Sequence, residues 1–463
     1  MANMSHPLTS MGVMLVAVLA SVLSTPARAQ TVPQSQGDAE AKSSPSALSP
    51  SPGVETTGFF DGLGAYTYSD PAHWSRSVAR LQLSASGALS SNVKWKLGGR
   101  VDVDPTYFAS NFYLEPVKQN QRADFFYREN YIDASLGDWN IQIGAQQIVW
   151  GEVVGIFVAD VVSARDLREF LLPSFDIIRI PQPAVRAEYF LGSDSHFELI
   201  WIPVPVFDDI GKPGSDFYPV RLPSPTPSDV AALFQNPAKP SHSLNNSNYG
   251  ARVNGTSSGI DWSAFYYRSF SAQPTFYREV GATPGQPLAF QPRYDRIWQI
   301  GGTVGKDLGE AVLHGEAVYS SGQGYAVTSL DVQNGVVRKS TFDYAVSLDF
   351  TLPADTRLNV QAFQRVFSGG TPSDMAVKVD GFGASFSVST KLGDKFEPQL
   401  TWLQNFKDGG GLIRPRLNWS PMTNTTVAFG FDIFTGPSDG FFGRYNNRDR
   451  VYAELRYDFQ SKP

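Results

Sequence analysis

The stretch RVYAELRYDF, residues Arg450–Phe459, decides the fold that the sequence predicts. Successive side chains of a β-strand point to opposite faces, so a period of two divides this stretch into two sets. One set is apolar: Val451, Ala453, Leu455, Tyr457 and Phe459. The other set is charged apart from Tyr452: Arg450, Glu454, Arg456 and Asp458. Because an aliphatic face that ends in aromatic residues is typical of a lipid-facing strand, we interpret the stretch as the closing strand of a transmembrane β-barrel.

Four other segments repeat the two-faced pattern, at 92–102, 342–350, 357–365 and 412–419. A charge on the lipid face of a strand costs a few kcal/mol at the membrane midplane, so the charged faces are expected to line a wet lumen. The predicted lumen wall comprises Lys94, Lys96, Arg100, Arg357, Arg365, Arg414, Arg416, Asp432, Glu454 and Arg456. In 123–136 and 196–206 both faces are apolar or aromatic, which predicts contacts with something inside the barrel.

The connections between these segments alternate between short turns and longer loops. Bacterial outer-membrane barrels show this alternation because their periplasmic turns are short and their extracellular loops are long. The longer connections are 105–122, 150–182, 207–246, 272–292, 322–340, 368–375 and 436–447. The sequence therefore predicts an all-β, antiparallel barrel of about 18 strands over 58–459, with 16 strands as the nearest alternative.

The two ends of the chain carry other signals. Met11 to Leu23 is a short apolar run, and Ala27-Arg28-Ala29 is a small-residue cleavage site, so 1–29 is predicted to be a secretory signal peptide. The Ser/Pro/Gln-rich stretch 30–57 is predicted to be a disordered periplasmic tail. Residues 460–463 follow the closing strand as a short C-terminal extension.

Composition excludes several classes of function. The chain has 0 Cys, which excludes disulfide scaffolds, thiol catalysis and cysteine zinc sites. Its formal charge of −6 argues against nucleic acid as a partner. No clustered Ser/His/Asp set is present, so we predict no enzyme, no cofactor and no metal. His314 and Glu316 share one face, and a satisfied polar lining is favoured there over a metal or pH-sensitive pair.

The segment Trp150–Gln182, WGEVVGIFVADVVSARDLREFLLPSFDIIRIPQ, is the strongest functional candidate. An exposed external loop has no reason to carry so many apolar residues, so we expect it to fold into the barrel and narrow the lumen; an external cap is the alternative. The run 163–172, SARDLREFLL, has a capping pattern and apolar residues at helical spacing, which predicts a short helix that ends at Pro173. The predicted constriction residues are Trp150, Glu152, Arg165, Asp166, Arg168, Glu169 and Arg179.

Two runs in this region carry a resemblance to a known family. Gly144-Ala145-Gln146-Gln147-Ile148-Val149-Trp150-Gly151 and Leu167-Arg168-Glu169-Phe170-Leu171-Leu172-Pro173 resemble the outer-membrane family catalogued as domain of unknown function 1302. The resemblance covers about 58–459 and implies a porin-like barrel in the outer membrane of a Gram-negative bacterium. It also implies a lipidic or steroid-like cargo and a periplasmic carrier as a partner.

The resulting hypothesis is a porin-like channel for small to medium solutes, with outer-membrane lipids, the solute and the barrel assembly machinery as partners. The alternative is a gated outer-membrane transporter for hydrophobic compounds. An outer-membrane enzyme such as a lipase, and a secreted soluble β-sandwich or propeller, are rivals from other classes. Hydrolysis of phospholipid would favour the first rival, and extraction without detergent would favour the second.

Overall fold

The computed structural model describes residues 53–153, 155–221, 226–279 and 289–461. The predicted signal peptide and most of the predicted tail, 30–52, lie outside the described residues. None of the helices found in the described part of the chain is both long and apolar enough to cross a membrane.

The strands form one antiparallel barrel. Two collinear segments, Ala123–Tyr127 and Asn130–Leu136, pair with the same neighbour and count as one interrupted strand, β4. The barrel strands are β1 Glu55–Thr67, β2 His73–Ser90, β3 Val93–Val103, β4 as given, β5 Trp139–Gln146, β6 Gln182–Phe190, β7 Ser195–Ile202, β8 Asn248–Ser257, β9 Ile260–Phe270, β10 Arg296–Asp307, β11 Ala311–Ala326, β12 Val336–Leu352, β13 Thr356–Phe367, β14 Gly381–Ser389, β15 Phe396–Asn405, β16 Gly411–Met422, β17 Thr425–Thr435 and β18 Arg450–Ser461. The prediction of 18 strands is confirmed.

The first and last strands close the barrel. β1 pairs with β18 over twelve consecutive residue pairs, among them Phe60 with Tyr457 and Asp61 with Arg456. Closure satisfies the backbone groups that an open sheet would leave exposed to hydrocarbon. β1 starts at Glu55 and β18 ends at Ser461, so Glu55–Thr57 belong to the wall rather than to the predicted tail, and 460–461 extend the closing strand.

The two faces of the strands differ as the sequence predicts. In β18, Val451, Ala453 and Tyr457 are exposed on the outer face, whereas Arg450 and Tyr452 are buried inside. Large apolar side chains are exposed on the other strands too, as they are on a lipid-facing surface. The outer face is therefore apolar and the charged rows face the lumen.

Eight connections at one end of the barrel are short turns, as predicted. The nine at the other end include the long loops and also two short ones, 68–72 and 406–410, which the sequence analysis did not recognise as separate connections. The helices lie in the loops: α1 Thr106–Ala109, α2 Glu115–Gln121, α3 Phe175–Ile178 and α4 Pro227–Leu233, with 3₁₀ turns at Leu244–Asn246 and Gly443–Tyr445. A hairpin of Thr275–Glu279 and Ala289–Arg293 also lies at the long-loop end.

The wall is not equally high all round. β5, β6 and β7 have 8, 9 and 8 residues, whereas β2 and β12 have 18 and 17. A strand needs about 9–11 residues to cross the hydrocarbon core at the usual tilt, so the wall is lowest at β5–β7. The connection between β5 and β6, residues 147–181, enters the lumen from this low part of the wall; we call it the inward loop.

The orientation of the two faces can be tested with a pair of neighbouring substitutions in β13. Val360 is 42% exposed on the outer face, and Asn359 faces the lumen beside Asp349. We expect Val360→Arg to lower the free energy of unfolding by about 2–4 kcal/mol, because the charge then faces hydrocarbon. Asn359→Arg, the control, gains an aspartate partner and is expected to leave stability nearly unchanged. Urea unfolding in lipid bilayers measures both, and equal effects would contradict the assignment.

Candidate functional site: the lumen and its inward loop

The inward loop begins with a buried apolar section. Ile148 and Trp150 pack against the inner faces of β7–β9, and the Trp150 indole N–H donates to Glu198 Oε1 at 2.8 Å. Trp150 is 1% exposed. The prediction that it helps to line the constriction is therefore wrong: its ring fixes the loop to the wall because burial there removes a large apolar area from water.

A single carboxylate holds the next section of the loop. Glu316 on β11 accepts backbone N–H groups from Val153 at 2.6 Å and Ala159 at 2.8 Å, and also the N–H of Glu152. The Glu152 carboxylate lies 2.9 Å from the Thr303 hydroxyl and 3.4 Å from His314 Nδ1. Glu316 and His314 therefore anchor the loop, a more specific role than the polar lining expected from the sequence.

The run 163–172 is not helical, so that prediction is wrong. Ala164–Arg165 forms a two-residue ribbon with Arg179–Ile180, and the Leu167 N–H donates to the Asp209 carbonyl at 2.7 Å. Ser163 donates its hydroxyl to the Ile148 carbonyl instead of capping a helix. Phe170 has φ 55°, a left-handed conformation that ends any right-handed turn. The helix of the loop is α3, after Pro173, because tertiary hydrogen bonds use the amides that a helix at 163–172 would need.

Glu169 joins the inward loop to a group of wall arginines. Its carboxylate accepts Arg76 Nε at 3.1 Å, Arg80 Nη2 at 3.1 Å and Arg450 Nη1 at 3.0 Å, and the side chain is buried. Burial alone would raise the pKa of Glu169, but the charges of Arg76, Arg450 and Arg80 hold its pKa below the ordinary value. The loop thus carries a stable negative charge into a group of wall arginines, and this contact joins it to β2 and β18.

Aspartates on the wall balance the positive charges of the same arginines. Asp432 accepts Arg414 Nε at 2.7 Å and Arg450 Nε at 2.8 Å. Asp61 accepts Arg80 Nη1 at 2.7 Å. Arg414 also donates to the Leu172 carbonyl at 2.8 Å, which attaches the loop to β16. Buried charges persist only when they are paired and hydrogen-bonded, and this network meets that condition.

The sequence analysis missed Arg76, Arg80 and Arg450 as site residues. Ser75 is an extra residue in β2, because Ala65 pairs with Arg76 while Tyr66 pairs with Trp74. Such a β-bulge shifts the inward–outward alternation on its N-terminal side, so Trp74 is exposed on the outer face. Arg76 lies beyond the bulge and shares the inward parity of Arg80. All three arginines follow the alternation of their strands, so a complete strand-by-strand assignment could have found them.

Arg168 forms ion pairs with three aspartates, one in the inward loop and two outside it. Its guanidinium contacts Asp166 at 2.8 Å, Asp124 at 3.1 Å and Asp209 at 3.5 Å, and Nη1 donates to the Asn120 carbonyl at 2.9 Å. The side chain is 2% exposed. Arg168 and Asp166 are therefore structural ion-pair partners within and beside the loop, not free charges projecting over open water.

Arg165 and Arg179 lie opposite each other in the two-residue ribbon of the inward loop. Arg165 stacks on Phe157 with its guanidinium carbon 3.9 Å from the ring centroid, and Arg179 stacks on Phe175 at 5.2 Å. Both arginines contact Asp160, at 3.6 and 3.5 Å. Cation–aromatic stacking leaves a planar guanidinium in a fixed place, so these two charges are held at the loop surface.

The predicted wall residues have different surroundings. Arg100 donates to Asp102 at 2.8 Å and to the Ile177 carbonyl at 2.9 Å, so it holds α3. Arg456 donates to Asp176 at 2.9 Å and has the same effect. The remaining wall residues pair with carboxylates or are exposed: Lys96 with Glu129, Arg365 with Asp343, Arg416 with Glu454, and Lys94 and Arg357 exposed.

Side chains fill the centre of the lumen beside the loop. The cavity enclosed by Arg76, Arg80, Arg100 and Glu169 measures only about 10 Å³. Phe170 packs with Phe217, Phe434, Phe442 and Tyr445, and Leu167 packs with residues of other loops in a second apolar cluster. Loops from different parts of the barrel therefore meet at the long-loop end and hold one another in place.

One group in the lumen has the ligand types of a metal site. Donor atoms of Glu188, His196 and Glu198 all lie within 4.8 Å of one another. Arg186 Nη2 contacts Glu188 at 2.7 Å and Glu198 at 3.1 Å, so a guanidinium already balances these carboxylates. The geometry is that of an ion-pair cluster on neighbouring strands.

Comparison with known proteins identifies the family. The model of the family described as "Protein of unknown function (DUF1302)" matches residues 102–459, most of the chain. The chain belongs to this family. The resemblance predicted from the sequence is confirmed over that range. No curated protein sequence is significantly similar to this family member.

Solved structures of outer-membrane proteins share its fold. OccAB3 of Acinetobacter baumannii is 10% identical with a TM-score of 0.50, and the match covers 88% of this chain and 99% of OccAB3. OpdK of Pseudomonas aeruginosa, solved with vanillate, has the same identity, coverage and TM-score. OccAB4 of A. baumannii is 7% identical with a TM-score of 0.51, covering 88% and 98%. This member of the DUF1302 family has the β-barrel fold of these porin structures.

The role of Glu169 as the main anchor of the inward loop can be tested by Glu169→Gln. Removing one partner of a buried ion pair costs about 3–5 kcal/mol, because the other charges remain buried without it. We expect faster hydrogen exchange of the amides of 166–172 while the barrel strands stay protected. Glu115→Gln, which removes an exposed partner of Lys118, is the control and should change nothing. Unchanged exchange in Glu169→Gln would contradict the assignment.

The lowered pKa of Glu169 predicts how the loop responds to acid. The pKa of Glu169 in the folded protein lies below its pKa in the unfolded chain, which is about 4.3. The ionised carboxylate therefore stabilises the folded loop fully above about pH 4.3. This stabilisation is lost only as the pH falls through the lower, folded pKa. Hydrogen exchange of 166–172, corrected for its intrinsic pH dependence, should be the same at about pH 7 and pH 5. Loss of protection between those two values would contradict the prediction.

Proposed function

We propose that the protein is a passive channel for small to medium polar solutes, narrowed by the inward loop. The observation that carries the proposal is the span of the loop: it leaves the wall at β5 and is bound by Glu316 on β11 and by Arg76 and Arg450 on β2 and β18. A segment held on several sides of the lumen divides it and limits the size of what passes.

Charge would set selectivity. The residues proposed to line the narrow passage are Glu152, Arg165, Asp166, Arg168, Glu169 and Arg179, together with the ionic wall. Rings of fixed charge of both signs favour solutes that can exchange water for these groups and disfavour apolar ones. Trp150 is not among them, because its uncharged ring packs on the wall and its N–H is bonded to Glu198, whereas Arg168 and Glu169 are buried but carry charge.

The partners proposed for the channel follow from its outer face, its closing strand and its short-turn end. The apolar outer face would contact the lipids of the outer membrane of a Gram-negative bacterium, and β18 would be the strand that the barrel assembly machinery reads. A periplasmic carrier would meet the short-turn end. The proposed transport involves no covalent step and no cofactor.

Single-channel conductance in planar bilayers tests the proposal. Deleting Gly155–Pro173 removes the crossing section, so we expect conductance to rise and ion preference to change, because the fixed charges of the loop are lost. Glu169→Gln is a milder variant and should increase fluctuations between conductance levels. Asp355→Asn, at an exposed turn beside Lys391, is the matched control. If the deletion leaves both conductance and ion preference unchanged, the loop does not limit passage.

A further inference from the structure

Part of the barrel wall lacks strand pairing at the long-loop end. The upper segment of β4, Ala123–Tyr127, pairs with β3 on one side. On its other side the structure shows no ladder partner among the residues it describes, because β5 pairs only with the lower segment, from Asn130 downward. About five residues of strand, or about 16 Å, therefore present a free edge inside the membrane wall.

The chain that faces this edge cannot complete the ladder. β5 and β6 end at the pair Gln146–Gln182, and residues 203–211, which follow β7, lie beside this end. The Gln182 side chain holds Val206 through two hydrogen bonds of 2.9 Å, and Gly211 lies beside Asn120. Pro203 and Pro205 have no N–H to donate, so this segment is unsuited to strand pairing. We call the boundary between Ala123–Tyr127 and 203–211 the seam.

One side chain joins the two sides of the seam from within. Arg168 contacts Asp124 on β4 at 3.1 Å and Asp209 on the opposite side at 3.5 Å. Its own side chain is 2% exposed, whereas those of Asp124 and Asp209 are 39% and 38% exposed. Other adjacent strands are joined by backbone ladders over most of their length. At the seam, this guanidinium is the link that the described residues show across the boundary.

The outer side of the seam is apolar. Phe125 and Tyr127 are 55% and 74% exposed, with their rings 5.2 Å apart, and Val204 on the opposite side is 36% exposed. In outer-membrane barrels the long-loop end is the extracellular one, so these side chains lie at the level of the outer leaflet. Exposed apolar side chains on both sides of a boundary without ladder bonds favour contact with an apolar molecule rather than a polar one.

We propose that the seam is a lateral gate through which a lipophilic small molecule passes between the lumen and the outer leaflet. Asp209 is attached to the inward loop by backbone hydrogen bonds with Arg165 and Leu167, so the two would move together. Opening the seam would break the ion pair of Arg168 with Asp124 and its hydrogen bond to the Asn120 carbonyl but no backbone ladder, which is far easier than separating two paired strands. Since Arg168 belongs to the inward loop, movement of the loop would open the gate. This route goes beyond the passage of polar solutes and gives the alternative of a hydrophobic-compound transporter a physical path.

The test uses the absence of native cysteine, since the chain has 0 Cys. Asp124→Cys and Asp209→Cys are combined, and the two thiols are then joined with a short bifunctional thiosulfonate. Uptake of the uncharged lipophilic dye N-phenyl-1-naphthylamine is followed by fluorescence in porin-deficient cells expressing each variant. Before cross-linking we expect faster uptake than in wild type, because Arg168 loses its ion pairs with Asp124 and Asp209 and keeps only Asp166 as a charged partner. After cross-linking we expect uptake to fall to the rate of cells without the protein.

The control pair is Asp349→Cys with Asn359→Cys, two lumen-facing neighbours on the paired strands β12 and β13. Cross-linking it should leave dye uptake unchanged. Single-channel conductance of ions is measured in parallel; dye uptake that falls while conductance stays constant separates the lateral route from the polar channel. A constant dye uptake after cross-linking at the seam would overturn the proposal whether or not ions pass.

A second variant covers the case in which the cysteine pair does not fold, which is judged by heat-modifiable mobility on gels. Tyr127→Asp places a charge on the most exposed side chain of the seam and should slow dye uptake while conductance stays unchanged. Wild-type cells that take up the dye no faster than cells without the protein would also refute the gate.

Discussion

Hydrocarbon cannot accept or donate hydrogen bonds, and this constraint governs the whole structure. Each backbone N–H and C=O at membrane depth needs a partner within the protein, and a closed antiparallel ladder provides one for nearly every residue. Pairing of β1 with β18 completes the ring. The alternation of side chains then follows: apolar residues meet lipid, and the charged residues have only the interior left to occupy.

The interior solves the resulting electrostatic problem by pairing charges. Glu169 and Asp432 each accept more than one arginine, and Arg450 contacts both of them. A network of this kind is rigid because each charge depends on several partners, so removing one member leaves others buried without compensation. The same network positions the inward loop, which explains why a loop of 35 residues between two short strands has a defined path.

The features that depend on the local alternation of side chains could be predicted from the sequence. The features that depend on contacts between distant parts of the chain could not. Strand number, closure and the apolar outer face follow from period two and turn residues, and the family resemblance came from two local runs. The helix at 163–172 is absent because Asp209 and Ile148 take the groups that would form or cap it. The burial of Trp150 depends on β7–β9, and the outward orientation of Trp74 depends on the bulge at Ser75. None of these contacts leaves a periodic signal in the sequence.

The attachment of the inward loop has a consequence for how the polypeptide acquires its structure. Val153 is bound by Glu316, 163 positions later, and Glu169 by Arg450, 281 positions later. Contacts between groups so distant along the chain form late, after the entropy of closing the intervening loops has been lost. The loop can therefore complete these attachments only once β11 and β18 are in place, so its defined path is a product of the closed wall and not of the loop sequence alone.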